Sequence, residues 1–201
     1  MVIFMKLRHF LFIGLIIIML TGCASVFSPS NAGSGESVEN LTVGHSLEIE
    51  NIDSRFKLID NNSVLAADGL YYVSWGIGEI NTYGEGDDAA ELYDVQLYLI
   101  LEESKSNESA QDNMDSWYEA ALSHYEILEE EEVTINGQEY TIITYNYNSI
   151  NKTPYMHHGA SAFGVFENNA VGIELISCEN FNEDLKTILT GFLGNCSYVA
   201  P

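Results

Sequence analysis

The dipeptide Asn136-Gly137 joins two alternating segments, Val133 to Ile135 and Gln138 to Tyr145, and no other stretch constrains the fold as tightly. A type I′ turn needs positive φ at both central residues, which Asn and Gly accept, and its twist matches that of paired strands. An antiparallel hairpin is therefore expected here. A second is expected over Ser161 to Ser177 with Asn168-Asn169 at the turn, since Asn enters left-handed backbone, though less readily than glycine.

Around these hairpins the apolar pattern switches period. Ser46 to Glu50 and Phe56 to Asp60 alternate briefly, as short strands do, and Leu70 to Ile77 is aromatic and β-branched. Residues 81 to 90 read as a loop. Glu91 to Leu101 reads as a strand covered on both faces, because Tyr93, Val95, Leu97 and Leu99 share one side while Leu92, Tyr98 and Ile100 make the other partly apolar. Between Asp112 and Leu128, Met114, Trp117, Ala121, Leu122, Tyr125 and Leu128 recur at helical spacing, with Asp112 or Asn113 as cap and an end near the run Glu129 to Glu132, where the helix dipole disfavours acids. Phe181 to Leu193 carries the stripe of a closing helix, capped by Asn182 and stopped by Gly194. Trp75 and Trp117 are expected in the core. No solenoid or propeller repeat is visible.

The chain begins with Lys6 and Arg8, an apolar run Phe10 to Leu20, and Leu20-Thr21-Gly22-Cys23. This is the layout of a cleavable export signal, and its last four residues resemble the lipobox of bacterial lipoproteins, in which the cysteine is acylated. A spanning helix needs about 20 apolar residues, more than the stretch after Arg8 supplies. Each buried methylene contributes about 0.8 kcal/mol and one acyl chain holds only marginally, so two or three would anchor stably. The expected organisation is a signal peptide over 1–22, a lipidated Cys23 with a Ser/Gly/Asn-rich tether over 23–40, and one domain over 41–201. The expected location is extracytoplasmic, on a membrane through the acyl chains of Cys23.

The chain carries 30 acidic residues and a net charge of −23. Beyond the leader only Arg55, Lys57, Lys105, Lys152 and Lys186 are basic, and they are scattered. Binding to phosphate backbones depends on clustered Lys and Arg, so nucleic acid is excluded as a partner. Such acidity favours solubility and attracts cations.

Several strands, a helix, two hairpins and a C-terminal helix make an α+β class in which helices flank an antiparallel sheet. The element order, the Trp117-centred helix, the Asn136-Gly137 hairpin and the ending Phe181 to Leu193 resemble the PsbP-like α-β-α sandwich over roughly residues 45 to 200. The resemblance implies a binding or assembly role without catalysis. It transfers no residue roles.

Candidate chemistry is sparse. Cys178 and Cys196 are an exported pair, hence a candidate disulfide; buried thiols, or redox or metal chemistry, are the alternatives. Cys178 ends a strand while Cys196 follows a helix that rises about 1.5 Å per residue away from it, and bridged Cα atoms lie within about 7 Å. His157-His158, with His45 or His124, lacks any metal-ligand spacing. Gly159-Ala160-Ser161 beside His158 is not a nucleophile elbow, because Phe163 stands where a glycine is required. Glu85, Asp87, Asp88, Glu91 and Asp94 offer hard oxygens suited to Ca²⁺ but without the EF-hand order. No catalytic residue, metal or cofactor is singled out.

The sequence thus favours an anchored, non-catalytic module for an unidentified protein or envelope partner. The alternative is an anchored hydrolase of wall or nutrient polymers using carboxylates, which requires a cleft holding a strongly perturbed acid. A solute receptor would need two lobes and more chain.

Overall fold

The computed structural model describes residues 35–62, 69–83, 90–147, 156–178 and 181–199. In chain order the elements are β1 (Leu41–Val43), β2 (Leu47–Ile49), β3 (Phe56–Asn62), β4 (Leu70–Tyr83), β5 (Ala90–Glu103), α1 (Asn107–His124), β6 (Tyr125–Ile135), β7 (Gln138–Tyr147), β8 (Met156–Phe166), β9 (Asn169–Cys178), α2 (Leu185–Leu193) and β10 (Cys196–Tyr198). Seven strands form an antiparallel sheet in the order β3-β4-β5-β9-β8-β7-β6, and β1-β2-β10 form a second. The leader, Cys23 and most of the tether lie outside the described residues. No described helix is long and apolar enough to cross a membrane.

This architecture corrects the α+β expectation. Strands in two antiparallel sheets dominate the described residues, so the fold is β-rich, with α1 and α2 as minor elements. Part of the difference lies in segments read as helix or loop. Glu126 to Glu132 belongs to β6, and Asn81 to Tyr83 with Ala90 extend the long β4–β5 pair.

The Asn136-Gly137 hairpin forms as its turn chemistry requires: φ is +52° and +80° at the two residues, and Ile135 pairs with Gln138. The turn of the second hairpin lies one residue earlier than expected. Phe166 pairs with Asn169, leaving Glu167-Asn168 at the turn with Glu167 at φ +50°. Cross-strand packing explains the shift, because this register sets Gly172 opposite Phe163 and Ser161 opposite Glu174. The expected turn would have set a carboxyl against the Phe163 ring.

Helix α1 starts earlier and stops earlier than its stripe suggests. Ser106 caps it, the hydroxyl accepting from Ser109 N at 3.2 Å, and Ala110 adds a buried position upstream of Trp117 and Ala121. Tyr125 then leaves helical geometry and opens β6. The Glu129–Glu132 run lies on an edge strand of the large sheet, where charge discourages pairing with another chain. At the C-terminus Asp184, not Asn182, caps α2; its carboxylate accepts from Lys186 N at 3.2 Å and Thr187 Oγ1 at 2.6 Å.

Each face of the large sheet packs against a different partner. Val73, Trp75, Leu97, Leu99, Ile173 and Leu175 meet α2 and the small sheet in the main core. On the other face, Trp117 and Ala121 of α1 pack on Ile143, Tyr145, Phe163 and Ala170. Trp75 and Trp117 are buried, as their patterning implied. The end of the segment read as tether is docked: Leu58 N donates to Glu36 O at 3.0 Å and Ile52 N to Glu39 O at 2.9 Å.

Candidate functional site

Strand β9 is mostly apolar and carries one charge, Glu174. Alternation puts Val171, Ile173 and Leu175 in the main core and turns Gly172, Glu174 and Ile176 toward the α1 side. Register then places Tyr98 of β5 and Ser161 of β8 on either side of Glu174. Two strands further on, Tyr145 of β7 lies opposite Gly159, and the exit of α1 delivers Tyr125.

The Tyr125 hydroxyl donates to Glu174 Oε1 at 2.9 Å, and the Tyr145 hydroxyl donates to the same oxygen. Ser161 Oγ donates to the Tyr145 hydroxyl at 3.3 Å. The two tyrosine rings stack with centroids 4.0 Å apart and planes 5° from parallel. Glu174 lines a pocket and keeps partial exposure there. The protein packed round its carboxyl nevertheless withdraws bulk water, and this burial pushes its pKa up to about 7, against the pull of the hydroxyls of Tyr145, Tyr125 and Ser161.

The pocket is a cavity of about 70 Å³ between α1 and the sheet, lined by Tyr72, Tyr98, Trp117, Tyr125 and Phe163 besides Glu174. Gly172 lets the helix approach, since an added Cβ would lie 3.3 Å from Trp117 Cε3. His124 stands at the wall, its Nδ1 2.7 Å from Ala120 O. A carbonyl only accepts, so Nδ1 carries a proton in this arrangement. Nothing else charged lines the pocket among the described residues.

The residues singled out from the sequence are not gathered here, with the exceptions of Ser161 and His124. Ser161 is buried and committed to Tyr145, while His158 lies outside this pocket and pairs with Asn146 Oδ1 at 2.9 Å. His45 lies in the turn between β1 and β2, its Nδ1 2.9 Å from Glu103 Oε2, and Tyr71 donates to that oxygen at 3.2 Å. Burial raises the Glu103 pKa, but the bonds from His45 outweigh it and hold the carboxyl below its ordinary value. Cys178 and Cys196 are not bonded to each other; both are buried thiols, donating to Tyr93 O at 3.7 Å and Phe192 O at 3.5 Å respectively. Of the acidic loop, Glu85, Asp87 and Asp88 lie outside the described residues, and Asp94 accepts from Glu79 N and Asn81 Nδ2 at 3.0 and 2.8 Å. Among the described residues no three His, Cys, Asp or Glu converge as a metal site.

Sequence reasoning missed Glu174, Tyr125 and Tyr145 as a group. The available signal was a lone acid inside AVGIELIS, since a charge in a strand buried on both faces needs partners.

A larger groove of about 650 Å³ opens beside α2. Lys186, its one lysine or arginine among the described residues, is held by Glu129 and Glu131 at 3.5 and 2.9 Å.

No protein-family model matches the chain, and no curated protein sequence matches it. Among solved structures, the chain is similar to cyanobacterial PsbP from Synechocystis sp. PCC 6803, with 13% identity and a TM-score of 0.44 over 86% of this chain and 100% of that one. It is also similar to a crystal structure from Bacteroides thetaiotaomicron VPI-5482, with 6% identity and a TM-score of 0.38 over 82% of this chain and 49% of that one. Neither likeness carries a residue role or an activity to this chain.

Proposed function

We propose that the protein is an extracytoplasmic lipoprotein, held to its membrane by acyl chains on Cys23, whose domain binds a protein or envelope partner without catalysis. The observation that supports the binding reading is the α1 pocket: aromatic walls converge on one carboxyl that two tyrosines hold in place. An anchor group seated in such a desolvated pocket contributes a disproportionate share of binding energy.

The test is mild crosslinking of the lipid-anchored protein on intact cells, comparing wild type with Ala120→Trp, which fills the pocket mouth. A partner recovered with wild type and lost with the variant supports the reading. A partner retained by the variant moves the binding surface elsewhere, and no partner under conditions that recover known complexes counts against the module.

The competing hydrolase reading finds half of its machinery. A carboxyl raised toward neutrality is what a general acid needs. Hydrolysis by paired carboxylates also requires a second acid about 5 to 9.5 Å away, and among the described residues Glu174 is the acid that lines the pocket.

A further inference from the structure

Taking the α1 pocket as the binding site, the chemistry of its walls says what it accepts. We propose that this pocket receives a small alkylammonium group, its nitrogen against Glu174 and its carbons among the rings of Tyr98, Tyr125 and Trp117.

The lining carries the argument. Five of the pocket's side chains are aromatic, Tyr72, Tyr98, Trp117, Tyr125 and Phe163, and the acid among them is Glu174. Aromatic rings attract cations through their quadrupole, more strongly where water is excluded, and a carboxylate adds a full charge. No lysine or arginine lines the cavity among the described residues to occupy that charge. A carboxylate offers about four acceptor sites; the hydroxyls of Tyr125 and Tyr145, both on Oε1, leave room for an N–H donor.

Size narrows the choice. A water needs about 10–15 Å³ of such space, so a cavity of about 70 Å³ exceeds a single solvent molecule. It falls well short of the roughly 300 Å³ of a drug-sized site, so it fits a head group and not an extended ligand. Charge sets the sign. At −23 overall the protein draws cations toward it and repels anions, and an anion in the pocket would face Glu174 at low dielectric. A neutral alcohol gains from neither term.

Binding is coupled to a proton. Burial leaves Glu174 protonated up to about pH 7, so below that pH an ammonium must displace the proton. The other titratable groups at the site are His124 on α1, Tyr125 on β6, Tyr145 on β7, Tyr98 on β5 and Tyr72 on β4.

The test is calorimetric titration of the full chain in detergent with n-butylammonium chloride and, separately, with 1-butanol, from pH 5.5 to 8. The expected result is saturable binding of the ammonium, rising about tenfold per pH unit up to pH 6.5 and levelling above pH 7.5. It should release one proton at low pH and weaken at least tenfold in Glu174→Gln, whose cooperative unfolding is checked separately. A lysine-bearing tetrapeptide that binds more tightly than n-butylammonium assigns the ammonium to a partner's side chain; the reverse assigns it to a free amine. Equal affinity for 1-butanol, pH-independent binding, unchanged affinity in Glu174→Gln, or no binding at all would each overturn the ammonium. Those results leave the pocket reading intact as long as Ala120→Trp still loses its partner on cells; a variant that keeps its partner ends the pocket reading itself.

Discussion

Gly159 lies directly beneath the Tyr145 ring: a Cβ added to the glycine would sit 2.2 Å from Tyr145 Cζ. The absence of a side chain on β8 is what lets Tyr145 lie across the strand and reach Glu174. Gly159→Ala is therefore expected to displace the ring, destabilising the protein by about 1–3 kcal/mol as overpacking does. It should also raise the Glu174 pKa, because a hydroxyl that favours the charged form is withdrawn. Urea unfolding and a carbon-detected titration of the Glu174 carboxyl check both effects; a variant with wild-type stability and titration would refute the constraint.

Glu174 links stability to pH. The unfolded chain releases this proton near 4.5 and the folded state near 7. Between those values the folded state binds more protons, so this group's contribution is complete below about pH 4.5 and is lost as pH rises to about 7. The full loss is about 3 kcal/mol. Glu174→Gln stays neutral while its amide oxygen can still accept from the tyrosines. It should match wild type near pH 4.5 and be the more stable protein at pH 8. Urea midpoints at the two pH values decide this, and parallel pH profiles would remove Glu174 as their source.

The first turn of α1 distinguishes two caps. Ser106→Ala should cost about 1 kcal/mol, because Ser109 N loses its acceptor. Asp112→Ala, at the position the stripe alone suggests, should stay within about 0.5 kcal/mol. Thermal unfolding of both variants settles the order; a larger effect at Asp112 would contradict the observed cap.

Burial pushes the Cys196 thiol up to about 12, and thiolate is the reactive form. Iodoacetamide at pH 8 should leave Cys178 and Cys196 unlabelled in the native protein. Both should react on denaturation without reductant. If they resist labelling until a reductant is added, the cysteines are bridged.

Some of this was legible locally. Asn136-Gly137 specifies its own turn through two positive φ values, and the alternating residues on either side need no distant partner to pair. The face of α1 bearing Trp117 and Ala121 was equally readable. Its ends were not, since Ser106 shows itself as the cap only through its bond to Ser109, and helical spacing ran past His124 into residues that β7 claims for the sheet. The Glu129–Glu132 run illustrates the same limit: acids unfavourable at a helix end are suitable on an edge strand, and only the strand order says which applies.

By itself the sequence determined the acidic charge, the first hairpin and the buried tryptophans, because each depends on residue type or on neighbours within a few positions. The tertiary structure alone decided the β-rich balance and the site. Glu174 meets Tyr98, Ser161, Tyr145 and Tyr125 from four different strands, and a carboxyl becomes a neutral-range acid only when pairing register and a covering helix have together taken it out of water.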